Sequence, residues 1–347
     1  MTEEDLMRFA VGYQLPNDDG SFVDIVRDYR EHIAEVFFPW LNFATGRASI
    51  AERNGEVDWH AQKDIEEDIV ALKGLGIKLD LLINGNCFGR QSMSVHLENQ
   101  VRSTLEYLNE LTGGIEIVTT ASPAVAHILK KHFSAVEVRA SVNMRIGTVK
   151  GMQYMAKLFD SFHVQREYNR DLARIEELKA WADANGKKLI MLANSGCMNF
   201  CSGQTFHDNC VAHESEIADT VNMKDFRMHA CWNYLAADEA NRVSVLQNSW
   251  VRPEDIDHYE RYFDVVKLAT RMHQHPRLVI QAYADRKYHG NLLDLCEPGF
   301  SPAFAPYVID NDKFPKEWFA RTTSCDKECH RCDYCGNVLE AVLIKAG

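Results

Sequence analysis

Four cysteines fall within eleven residues near the end of the chain: Cys325, Cys329, Cys332 and Cys335, spaced C-x3-C-x2-C-x2-C. A second sulfur-rich loop carries Cys197, Cys201 and Cys210, with Cys231 beyond it. A tetrahedral metal or a cubane cluster needs several deprotonated sulfurs within a few ångströms of one another, and short intervening loops allow that at small entropic cost. The tail spacing therefore predicts a metal–thiolate site holding a [4Fe–4S] cluster or a structural zinc, with His330 as an alternative zinc ligand. Five central cysteines, Cys87, Cys197, Cys201, Cys210 and Cys231, compete for the four positions of a [4Fe–4S] cluster. Cys296 has no cysteine near it in sequence and reads as structural.

Other chemistry finds little support. There is no nucleophile elbow, no HExxH helix, and no phosphate-binding glycine loop in a strand-to-helix context. The triplet Cys325, Cys329, Cys332 has radical-SAM spacing but follows the last expected strand, the wrong place for that chemistry. His207, His213 and Glu214 flank the central loop; His213 is the candidate general acid/base or zinc ligand.

Ten cysteines in 347 residues, with no basic and apolar leader at the start, point to a reducing cytoplasm and to metal or redox work in place of disulfides. No apolar run is long enough for a membrane span. The formal net charge of −12 favours a small anionic molecule or a peptide as partner; charge does not support RNA, though a local basic groove is compatible with it. Oligomeric state is left open, with homo- and hetero-oligomers among the options.

The elements that must position these groups follow from periodicity. Short β-rich runs are expected at 35–38, 79–83, 115–119, 136–140, 159–164, 188–192, 243–246 and 263–268. Helical faces lie between them, such as Ile65, Ile69, Leu72 and Leu75, or Val101, Leu105, Leu108 and Leu111. Ser122-Pro123 reads as a helix start and Asn185-Gly186 as a helix end. Eight strands alternating with helices predict an α/β fold, a (β/α)8 TIM-type barrel, although periodicity alone also admits a doubly wound sheet. The expected organisation is a barrel over 1–296 with an N-terminal helical lead-in, then a connector and cysteine-rich tail over 297–347. Sites in such barrels form where strands end. Arg139, Arg166, Arg252, Lys267 and Arg271 fall near expected strand ends and are the candidate anchors for an anionic substrate.

The segments Asn194-Ser195-Gly196-Cys197-Met198-Asn199-Phe200-Cys201 with His213, Ser249-Trp250-Val251-Arg252-Pro253-Glu254-Asp255, and Asp264-Val265-Val266-Lys267-Leu268-Ala269-Thr270-Arg271 resemble the collagenase-like U32 peptidase family. The tail Cys332-Asp333-Tyr334-Cys335 resembles the cysteine-rich ends of some members. The resemblance implies a barrel holding an oxygen-sensitive [4Fe–4S] cluster through four cysteines. It also implies oxygen-independent hydroxylation of a small molecule or RNA base with prephenate as oxygen donor, or, by the family's label, peptide hydrolysis. A third reading is a non-enzymatic iron–sulfur partner in electron transfer. The tail site is absent from shorter members, so a second cluster is an expectation of this chain in particular.

Overall fold

In the computed structural model, residues 7–41, 43–46, 52–53 and 56–346 are described. Eight parallel strands close into a barrel: β1 (Arg8–Gly12), β2 (Ile33–Pro39), β3 (Lys78–Ile83), β4 (Ile117–Thr120), β5 (Glu137–Ala140), β6 (Ser161–His163), β7 (Lys188–Leu192) and β8 (Val265–Leu268). Each strand pairs with its chain neighbours, and β8 closes the ring on β1 with Val265 opposite Arg8. Strand alternation divides the apolar residues between two surroundings. Leu79, Leu81 and Ile83 pack outward into the helix layer, whereas Ala10, Phe37 and Leu82 meet inside the barrel.

The helices form where the sequence marks them. Asp58 accepts from the backbone N–H groups of His60 and Ala61 at the start of helix Trp59–Gly74, whose buried face includes Ile65, Ile69 and Leu72. Ser122 caps helix Pro123–His132 with proline in its first turn, and Gly186 (φ 62°) follows helix Leu172–Ala184.

Two strand assignments change. The expected helical lead-in supplies β1 and, after a turn, helix Phe22–Asp28, so the first strand lies earlier than the sequence pattern suggested. Residues 243–246 are not a strand. They finish a 3-10 helix (Glu239–Val245) begun by Asp238, whose carboxylate accepts from the Ala240 N–H at 2.9 Å. With Val266 paired directly to Met191 there is no gap between β7 and β8 for another strand. Everything from Ala193 to Asp264 is therefore one long connection leaving β7, and it carries four of the five central cysteines, all but Cys87.

The tail is docked rather than appended. Trp250, Cys296, Phe300, Phe314, Trp318, Val338 and Val342 belong to a second apolar core that runs from the long connection to the last helix. A two-stranded antiparallel pair, β9 (Tyr307–Ile309) with β10 (Leu343–Lys345), closes it. The boundary expected at 296/297 falls inside this core. Its centre is the Trp250–Trp318 stack, 5.7 Å between rings, with the Arg170 guanidinium 4.1 Å over Trp250.

Candidate functional site

The chain leaving β7 is pinned to the end of the barrel by side-chain amides. Asn194 Nδ2 donates to the carbonyls of Ala269 (3.0 Å) and Leu295 (2.9 Å), while its Oδ1 accepts from the Ala269 N–H. Asn248 Nδ2 donates to Gly196 O at 2.8 Å, and its Oδ1 accepts from the Asn199 N–H at 3.3 Å. A parallel bridge joins Ser195 to Glu297, with the Gly196 N–H on Glu297 O at 2.9 Å. Only glycine fits at 196, because a Cβ there would lie 2.0 Å from Pro298 O. Between Cys197 and Cys201, Phe200 adopts φ 54°, a conformation bulky residues rarely take.

This scaffold encloses a cavity of about 780 Å³ whose wall includes Cys197, Cys201, Cys231, Cys296 and Arg166. Burial, then the Cys197 and Cys201 sulfurs, raises the Cys231 thiol above its ordinary range. Arg166 Nη1 donates to Cys197 Sγ at 3.3 Å; its Nη2 is buried without a hydrogen-bond partner. The rings of His207 and His229 meet edge-on at 4.8 Å on the same wall. Among the described residues, no three His, Cys, Asp or Glu side chains are already set as ligands of one ion.

The predicted ligands thus divide. Cys197, Cys201 and Cys231 share the cavity; Cys210, on helix Gln204–Ala212, and Cys87, in the loop after β3, are not among its lining residues. Cys296 was read as structural, yet it lines the cavity, brought there by the Ser195–Glu297 bridge. Sequence spacing holds no signal for that contact, which joins residues about a hundred positions apart. In the tail, Cys329 is raised by burial and then by Cys325, and Cys335 is pushed up to about 11 by burial, with Arg170 opposing and the other three tail cysteines adding. Cys325 and Cys332 are exposed, Cys329 and Cys335 partly buried. Lys327 Nζ donates to Cys325 Sγ at 3.3 Å, and His330 pairs with Glu328 at 3.5 Å.

Of the candidate anchors, only Arg166 reaches the cavity. Arg139 turns down the barrel interior, its fork held by Glu35 (2.6 and 3.1 Å) and Glu137 (2.8 Å), with Asp80 3.8 Å away. It is the hub of a buried ion network and not a free anchor. Arg252 is spent on Asp255 (3.1 Å) and the Asn311 carbonyl (3.3 Å), and lies over Phe314 at 4.9 Å, fastening the second core to the barrel. Arg271 donates to Thr45 Oγ1 at 3.2 Å near the β1 end. His213 is a partner of Cys87 and of Glu216, 3.2 Å away.

Lys267 lies inside the barrel with its ammonium 3.7 Å from the centre of the Phe37 ring. Burial lowers its pKa from 10.5 to about 8, with Asp80 opposing. Burial likewise lifts Asp80 to about 6, partly offset by Arg139 and Lys267. Between pH 8 and 10.5 the unfolded chain holds more protons at Lys267 than the folded one, so this group adds stability as pH rises through that window. We expect wild type to gain on Lys267→Met between pH 7.5 and 9.5 in paired urea titrations; parallel curves would show an ordinary ammonium.

No protein-family model matches the chain. It is 22% identical over 335 residues to an uncharacterized protease, MJ1657, of Methanocaldococcus jannaschii, covering 94% of each chain. Among solved structures, the U32 peptidase Mk0906 superposes with a TM-score of 0.52 at 17% identity, over 76% of this chain and 92% of that one. The fold is shared with that U32 peptidase and the sequence similarity runs nearly end to end with the archaeal protease, in agreement with the resemblance read in the sequence.

Proposed function

We propose that the chain is an iron–sulfur enzyme modifying a small anionic molecule, a peptide or an RNA base without O2. The observation that carries this reading is the set of four thiols, Cys197, Cys201, Cys231 and Cys296, on the wall of one cavity beside the spare N–H of Arg166. The donor set suits iron: all four are soft sulfur ligands, as cubane clusters require. When bound there, a [4Fe–4S] group supplies an iron centre able to serve as Lewis acid or one-electron relay.

The chain's own residues do the rest. Arg166 donates one N–H to Cys197 and keeps another for an anionic oxygen of the substrate, a charge-assisted contact that fixes orientation. Asn194 and Asn248 hold the two cysteine-bearing segments in register. A dicarboxylate such as prephenate matches the positive charge of Arg166. The four tail cysteines, close in sequence, are the candidate ligands of a second cluster, with zinc as the alternative there.

Anaerobic purification followed by iron, acid-labile sulfide and zinc analysis tests the reading. About four irons per occupied site are expected; a folded protein with zinc alone and no sulfide overturns it. The relatives' names favour peptide hydrolysis as a second reading, but thiols held by iron are unavailable as nucleophiles.

A further inference from the structure

Cys87 stands apart from both thiol groups. It follows β3 in the loop 84–90, where Gly89, at φ 51°, directs its N–H to Cys87 Sγ at 3.3 Å. The imidazole of His213, at the junction of helices Gln204–Ala212 and Glu214–Ala218, lies against the Cys87 loop. Its Nδ1 lies 3.2 Å from Glu216 Oε2, which leaves the other ring nitrogen for the sulfur. The Gly89 turn sits directly against this ring: a Cβ at 89 would lie 3.6 Å from His213 Cε1. Both partners are partly open to solvent, His213 with 25% of its side chain exposed.

We propose that Cys87 and His213 form a nucleophilic pair for acyl transfer, with Glu216 orienting the imidazole and an ester or peptide carbonyl as the acceptor of attack. The site lies outside the cavity and uses none of its thiols, so it is independent of any metal. The His213 contact holds the Cys87 thiol below its ordinary range and raises His213 in turn; Glu216, which faces both, adds to His213 and opposes at Cys87. The sulfur forms a bond to the carbonyl carbon, and the bond from that carbon to the leaving nitrogen or oxygen breaks. The departing group takes the imidazolium proton. Water, deprotonated by His213, then cleaves the thioester, releasing a carboxylic acid and restoring the thiol.

The test uses the full anaerobic chain with 4-nitrophenyl acetate as acyl donor and iodoacetamide as thiol probe, with peptide mapping by mass spectrometry. An acetyl adduct on Cys87, absent in Cys87→Ser, supports the proposal. In His213→Gln the rate of Cys87 alkylation at pH 7 falls about tenfold and its pH profile moves to higher pH. Unchanged iron content in both variants shows that they fold and separates this site from the metal reading. Alkylation equally fast in wild type and His213→Gln, or loss of iron in Cys87→Ser, overturns the proposal, the latter by making Cys87 a metal ligand.

Discussion

Replacing Arg139 with methionine lowers the stability of the barrel by about 3–5 kcal/mol, the usual cost of removing one partner from a buried ion pair. The guanidinium holds Glu35 through two hydrogen bonds, Glu137 through two more and Ser161 Oγ at 3.2 Å, inside a closed ring of strands. Burial by itself pulls the Arg139 pKa down; Glu35, Asp80 and Glu137 more than offset that and push it up. Glu137 gives the complementary result: burial raises it, yet Arg139 and Lys188 hold it down to about 2. Without the arginine, Glu35 and Asp80 lose the cation that compensates them. Asp80, which burial already lifts to about 6 against the opposing pull of Arg139, rises further, so its share of the deficit shrinks as pH falls toward 6. Urea titrations at pH 7 and pH 5 measure both effects. Adding Glu35→Leu to Arg139→Met recovers much of the loss, because an apolar pair of similar volume substitutes for a buried ion pair at little cost. A deficit below about 1 kcal/mol at pH 7, typical of a solvent-screened pair, would mean that Arg139 is free to hold a substrate after all.

Arg139 also shows what the sequence could and could not say. Its position one residue before the end of β5 was legible, and in a barrel that position invites a functional reading. The direction of its fork was not, because it depends on Glu35, 104 residues away and brought close only by closure. The same holds for Arg252, whose partner Asn311 comes from a segment that read as a connector. Local signals survived: the faces of the 59–74 and 95–112 helices and the Ser122 cap lie where 3.6-residue periodicity and capping chemistry place them. The error at 243–246 is local too. Two valines and a leucine satisfy a buried strand or a buried turn equally well, and Val245 and Leu246 are buried, but in the second core. Strand β1 escaped notice because Arg8–Gly12 offers only five residues, with Ala10 and Gly12 interrupting the β-rich pattern.

Serine at Cys201 or Cys231 is expected to strip the central site of iron while leaving the tail loaded, so iron and sulfide fall by about half if both sites carry cubanes. Cys201 enters from the loop leaving β7, Cys231 from the first turn of helix Ala230–Ala237, and both face the cavity that Cys197 and Cys296 complete. Gly203 permits that approach, since a Cβ there would already lie 3.3 Å from the Ala230 side chain. Cys210→Ser and Cys87→Ser keep full iron, because neither thiol is on the cavity wall. Cys332→Ser removes the tail's share alone. Cys296→Ser is the most discriminating member of the series. If its iron loss equals that of Cys231→Ser, the fourth ligand is the residue that spacing had set aside; if Cys210→Ser loses iron and Cys296→Ser does not, the cavity described here is not the metal site. Iron, sulfide and zinc measured on each variant under anaerobic conditions decide between these outcomes, and circular dichroism on the same samples shows whether the barrel is retained.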